Sequence, residues 1–135
     1  MGSWSSINYE ELYATLGYLF YSVADSDGRV RPAEVAKLKQ LIKEQWLPME
    51  PGRDDLGTDA AHYTDIAFDY ALDEGLEADA AFQRFAEYYR QHKAQFDPSL
   101  RRMIFDSAAA VAGAVAGNNK SELLRLGLLA QLFKE

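Results

Sequence analysis

Apolar residues recur at steps of three and four along most of this 135-residue chain, and this period constrains its fold more than any other feature. Side chains at such steps lie on one face of an α-helix. The first example comprises Tyr9, Leu12, Leu16, Phe20 and Val23. No segment alternates apolar and polar residues over a length that would indicate a strand. The sequence therefore predicts an all-α protein.

Start and stop signals divide the chain into about six helices. Asn8 is a good N-cap, Pro32 suits a first helical turn, and Asp97-Pro98 combines both signals. Gly75 is typical of a helix end. The predicted helices cover residues 8–25, 32–46, 59–74, 78–92, 98–117 and 123–133. We expect these helices to pack as a compact bundle.

The same spacing identifies the side chains expected to face the core. In the third helix they are Tyr63, Ile66, Ala67 and Tyr70, and in the fourth they are Phe82, Phe85, Ala86 and Tyr89. The fifth helix should bury Leu100, Ile104, Ala108, Val111 and Val115, and the last helix Leu124, Leu128, Leu129 and Leu132. Residues 108–117 are rich in Ala and Gly, which let a neighbouring helix approach closely, so we expect the fifth helix to be central.

Length and charge limit the classes of function. The length fits one domain, with residues 1–7 as a flexible N-terminus and 8–135 as a single helical domain. A net charge of −7 disfavours binding to nucleic acid or to an anionic membrane surface, and favours a basic protein partner or cations. No apolar run is long enough to cross a bilayer. The absence of cysteine excludes disulfides and thiol catalysis and fits a reducing, cytoplasmic location.

Motifs for catalysis are lacking. The only histidines are His62 and His92, and no Gly-x-Ser-x-Gly elbow, phosphate-binding glycine loop or dinucleotide fingerprint occurs. We therefore predict that the chain is not an enzyme and has no cofactor other than a bound divalent cation. A small enzyme that uses clustered carboxylates is the least favoured alternative, because nothing in the sequence positions a substrate.

The turn after the first helix resembles a degenerate calcium-binding loop. Its residues at loop positions 3, 5, 6, 8 and 12 are Asp25, Asp27, Gly28, Val30 and Glu34. Asp25, Asp27 and Glu34 are therefore candidate metal ligands. Loop position 1, which is acidic in a working loop, is Val23, and Arg29 adds positive charge. The metal-free alternative is that Asp and Gly end one helix while Glu34 caps the next.

An acidic segment follows, with nine acids and no Lys or Arg from Asp54 to Asp79. Within it, Asp65, Asp69 and Asp73 are spaced by four and line one helical face, with His62 one turn before them. Like charges at this spacing are unfavourable by a few tenths of a kcal/mol per pair, so something should offset them.

The offsetting group has three candidates. The first is a metal ion held by Asp69 and Asp73, with Asp65 or His62 near. The second is a basic group from elsewhere in the chain or from a partner, for which Asp65, Asp69, Asp73 and Glu77 form the predicted partner-binding set. The third is a solvated face balanced by neighbouring basic side chains, which are Lys37, Lys39, Lys43 and Arg90.

Two turns share a pattern. Residues 21–28 are an apolar helix end followed by an Asp/Gly turn, with Glu34 near the start of the next helix. Residues 114–119 are a similar helix end followed by a Gly/Asn turn, with Glu122 near the start of the last helix. Such an echo is what a fold of two similar halves would produce.

These turns carry a resemblance to a known family. The stretch Leu16–Ile42, with its Ala-Asp-Ser-Asp-Gly turn, Pro32 and Glu34, resembles the opening of TerB-like tellurite-resistance domains. Ala112–Glu122 looks like the second such turn of that family, although Asn118 and Asn119 stand where the family commonly carries Asp and Gly.

The resemblance implies a compact helical domain of two similar halves from a bacterial tellurite or stress response. In that family an acidic surface is associated with binding of cations or partner proteins, in membrane-proximal complexes that include calcium-binding partners. By motif match, Asp25, Asp27, Gly28 and Glu34 are the positions carried over. We therefore expect a TerB-like interaction or scaffold domain whose acidic surface binds a basic protein partner and divalent cations. The alternative is a divalent-cation-binding regulator that uses the degenerate turn loop.

Overall fold

Six α-helices make up the fold, in a computed structural model that describes residues 9–26, 28–46, 62–114 and 120–135. They are α1 (Tyr9–Ala24), α2 (Pro32–Leu41), α3 (His62–Glu74), α4 (Ala78–Gln91), α5 (Pro98–Ala112) and α6 (Lys120–Leu132). A π-helical turn, Ile42–Trp46, extends α2, and a 3-10 turn, Lys93–Gln95, precedes α5. The described ranges contain no strand, which confirms the all-α prediction.

Local signals locate several helix ends correctly. The side chain of Asp97 accepts a hydrogen bond of 2.7 Å from the amide of Leu100 and so caps α5. Gly75 follows the end of α3 with a φ of +64°, a conformation that favours glycine. The predictions for residues 1–8, for the start of the third helix at residues 59–61 and for Val115 concern positions outside the described residues.

The helix that packs against most of the others is α1, not α5. It contacts α3, α4, α5 and α6, and residues 19–24 are buried around its whole circumference. The chain has no charged residue from 12 to 24, so α1 has no side that must face water. The prediction that α5 is central is therefore wrong, although Ile104, Ala108 and Val111 are buried as expected.

A close approach between α1 and α3 determines which side of α3 faces inward. A Cβ atom added at Gly17 would lie 2.8 Å from Cβ of Ala67 and would also collide with the carbonyl oxygen of Thr64. Thr64 Oγ1 donates a 2.7 Å hydrogen bond to the carbonyl oxygen of Tyr13 across this contact. Only small residues fit there, so α3 turns its small side chains toward α1.

For this reason the predicted inner face of α3 is wrong at Ile66 and Tyr70, whereas Ala67 is buried as predicted. Ile66 is 58% exposed and Tyr70 is 49% exposed, whereas the buried residues are Thr64, Ala67, Phe68 and Ala71. Both sets have helical spacing, so periodicity alone did not distinguish them. The rotation of α3 about its own axis therefore places the side chains of Ile66 and Tyr70 in solvent.

A similar correction applies to α6. Leu129 and Leu132 are buried as predicted, but Leu124 and Leu128 are exposed. Two polar residues take the inner positions instead. Glu122 is 2% exposed, and Arg125 lies over the ring of Phe82 with its guanidinium carbon 5.2 Å from the ring centre. Arg125 also donates a 2.5 Å hydrogen bond to the carboxylate of Asp79.

Candidate functional site

The outer side of α3 combines apolar and acidic side chains. Ile66, Asp69, Tyr70 and Asp73 occupy positions i, i+3, i+4 and i+7 and so lie on one face, which we call the α3 face. All four are exposed. Isolated exposed apolar residues are ordinary, but two large ones beside two carboxylates form a surface suited to binding.

Asp65, Asp69 and Asp73 form an acidic row along α3, and a lysine of the same chain balances one end of it. Nζ of Lys39 on α2 lies 2.7 Å from Oδ1 of Asp65 and 3.9 Å from Oδ2 of Asp69. The hydrogen bond to Asp65 raises the pKa of Lys39. Lys39 was one of the lysines considered as a balancing group. Asp73 and Glu77, by contrast, are exposed and form no ion pair within the described part of the chain.

A shallow groove of about 380 Å³ runs beside this end of the row. It is lined by Lys39, Ile42, Lys43, His62 and Asp65. The two lysines make the Asp65 end of the acidic row mixed in charge. The acidic character of the surface is therefore strongest toward the C-terminal end of α3.

The glutamates that follow the two echoed turns meet inside the protein. Glu34 in the first turn of α2 is fully buried, and the carboxyl of Glu122 in the first turn of α6 lies beside it. Oε1 of Glu34 accepts a 2.7 Å hydrogen bond from the amide of Arg31, as the predicted helix cap requires. We call Glu34 and Glu122 the carboxyl pair.

Burial, together with a hydrogen bond with the Glu122 carboxyl, raises the pKa of Glu34 to about 7. The hydrogen bond from the Arg31 amide acts in the opposite sense. Two carboxylates cannot hydrogen bond to each other unless one carries a proton. Glu34 therefore keeps its proton up to about pH 7.

The predicted metal ligands have different surroundings. Among the described ranges no group of three or more His, Asp or Glu side chains is arranged to hold a metal ion. Asp27 lies outside the described residues, Asp25 is half-buried at the end of α1, and Glu34 points inward to Glu122. Asp65 and Asp69 face Lys39, so the metal assignments to Asp25, Asp27, Glu34, Asp65, Asp69 and Asp73 stay predictions.

Sequence reasoning missed two features, which are the exposed apolar side chains of α3 and the buried carboxyl pair. It placed Ile66 and Tyr70 in the core because their spacing is helical. It singled out Glu122 only as part of an echo and did not predict that Glu34 and Glu122 meet in the core. The echo was therefore the available signal for the carboxyl pair.

Comparison with known proteins identifies no relative. No protein-family model matches the chain, and no curated protein or solved structure matches it significantly. Within the described ranges, none of the helices combines the length and apolar character needed to cross a membrane.

Proposed function

We propose that this chain is a non-enzymatic, TerB-like interaction domain whose α3 face binds a basic, amphipathic segment of a partner protein. The observation that carries the proposal is the exposure of Ile66 and Tyr70 beside Asp69 and Asp73. Exposed apolar side chains supply binding free energy when a partner covers them, and aromatic residues are enriched among such anchors.

Charge supports a basic partner. Lys39 balances the Asp65 end of the row, which leaves Asp73 and Glu77 available to lysine or arginine side chains of the partner. A net charge of −7 would also speed encounter with a cationic segment at low salt. Binding should therefore weaken as ionic strength rises, because exposed charges are screened.

The experiment is an NMR titration with two model peptides of equal length, one helical Lys/Leu peptide and its Glu/Leu counterpart. We expect the Lys/Leu peptide to shift the amide signals of α3 and the Glu/Leu peptide to leave them unchanged. Tyr70→Ala should weaken binding by about tenfold, the effect of losing an anchor of more than about 1 kcal/mol.

Asp106→Asn is the matched control, because Asp106 is an exposed acid on α5 away from the α3 face. It should leave binding unchanged, whereas Asp69→Asn combined with Asp73→Asn should reduce it. Peptide-induced shifts that avoid α3, or equal losses in the control and the α3 variants, would refute the proposal.

A second candidate is a divalent-cation-binding regulator, favoured by the burial of the carboxyl pair. A cation that bound there would displace the proton of Glu34, so its affinity should increase with pH. The test is a thermal melt after EDTA treatment, with calcium, magnesium or manganese added at about pH 6 and about pH 8. Glu122→Gln should abolish any shift, whereas Asp73→Asn should not. Without a shift at either pH, this candidate fails.

A further inference from the structure

A second exposed apolar surface lies on α6. Leu123 is 54% exposed, Leu124 is 62% exposed and Leu128 is 49% exposed. Together with Gly127 they occupy one side of the helix, which we call the outer α6 face. Because the opposite side of α6 buries Leu126, Leu129 and Leu132, this helix is apolar on two sides. A helix of that kind usually has a partner on each side.

Among the described residues, nothing around Gly127 requires a glycine at that position. A Cβ atom added there would meet nothing within 4 Å. Its φ is not positive, since the described glycines with positive φ are Gly28 and Gly75. Glycine is the least favourable residue in a helix interior apart from proline. Because glycine has no side chain, its position among three exposed leucines allows another helix to approach closely.

The outer α6 face is also the surface on which two copies of an acidic chain can meet with little repulsion. From Lys120 to Lys134 the single acidic residue is Glu122, which is buried. The α3 face would instead bring Asp69 and Asp73 of one copy against the same carboxylates of the other. Charge therefore favours α6 over α3 as a contact between copies.

We propose that the outer α6 face binds the same face of a second copy of this chain, as an antiparallel helix pair about a two-fold axis. The four residues of the outer α6 face are placed symmetrically about the midpoint between residues 125 and 126, so an antiparallel copy of the helix can match them. Leu124 of each copy then faces Gly127 of the other, and Leu123 faces Leu128. Such a contact is closed and symmetric, as in most homodimers.

One helix pair buries less surface than a standard protein interface, so the dissociation constant of the dimer should be micromolar or higher. Two copies that each carry −7 repel one another, and added salt screens this repulsion. Self-association should therefore strengthen with salt, whereas binding of a basic partner at the α3 face should weaken. This difference separates the dimer from the proposed function.

The experiment is sedimentation velocity of the full chain over a range of concentrations, in low and moderate salt. We expect a concentration-dependent dimer. Leu124→Gln should raise its dissociation constant by about tenfold or more, because a leucine that the dimer buries is lost from both copies. Gly127→Gln should also disrupt it, because a long side chain would fill the position that faces Leu124.

Both substitutions lie on an exposed surface, and the thermal melt of each variant shows whether it folds. Ile66→Gln is the matched control, since Ile66 is equally exposed on α3, and it should leave the dimer intact. A wild-type chain that is monomeric up to about 1 mM, where association is worth only about 4.1 kcal/mol, would overturn the proposal. A dimer that survives Leu124→Gln and Gly127→Gln, or that Ile66→Gln disrupts, would overturn it as well.

Discussion

The carboxyl pair should make the stability of the protein decrease with rising pH. The perturbation that tests this is Glu34→Gln. Glutamine keeps the oxygen that accepts the Arg31 hydrogen bond and the size of the side chain, and it can donate to the carboxyl of Glu122. It removes the acid that must lose a proton in a buried position.

The sign follows from the direction of the shift. The pKa of Glu34 is about 7 in the folded protein against 4.5 as the reference value, so the folded state holds its proton more tightly than the unfolded state. The stability this provides is fully present below about pH 4.5 and is lost as the pH rises through about 7. Each pKa unit corresponds to about 1.36 kcal/mol, so the whole effect is on the order of 3 kcal/mol. About 2 kcal/mol of it should disappear between about pH 5.5 and pH 9.

The assay is urea unfolding of wild type and Glu34→Gln at several pH values in this window. The two free energies of unfolding should lie close together at the acidic end, and the variant should be more stable at the alkaline end by about 2 kcal/mol. Glu74→Gln, a change at an exposed acid on α3, is the control and should follow the wild-type curve. Parallel curves for wild type and Glu34→Gln would refute the raised pKa of Glu34.

Two further predictions concern the packing. Gly17→Ala should lower the free energy of unfolding by about 1 to 3 kcal/mol, because the new methyl group must push α3 away from α1. The same substitution at Gly127 should raise it by up to about 1 kcal/mol, since the position is open and alanine favours helix. Thermal melts measure both, and equal signs would contradict the packing described. Asp97→Ala should cost about 1 kcal/mol in the same assay, because Leu100 loses its cap, and an unchanged melting temperature would contradict that role.

Helix ends were predictable from the sequence because their causes are local. Asp97-Pro98 begins α5, Gly75 ends α3, and Glu34 caps α2 through the amide three residues before it. Each signal lies within four residues of the group that it satisfies. The periodicity of apolar residues likewise gave the fold class and the inner face of α4, where Phe82, Phe85, Ala86 and Tyr89 are buried as predicted.

The rotation of a helix about its axis depends on contacts far along the chain. The rotation of α3 is fixed by Gly17, which lies on α1 and leaves no room for a large side chain. The rotation of α6 is fixed by Glu122 and Arg125, whose partners Glu34 and Asp79 belong to other helices. Both α3 and α6 have two apolar faces with helical spacing, so the neighbouring helices determine which face is buried.

These rotations also produce the surfaces on which the proposed functions depend. The large apolar residues that packing excludes from the core include Ile66 and Tyr70 on α3, and Leu123, Leu124 and Leu128 on α6. The two surfaces differ in charge, so salt should weaken binding of a basic partner at α3 and strengthen self-association at α6. The buried carboxyl pair is screened much less by salt and should respond to pH instead. Because salt acts on the two surfaces in opposite directions and pH acts on the carboxyl pair, one salt titration and one pH titration can separate partner binding, dimerisation and proton uptake.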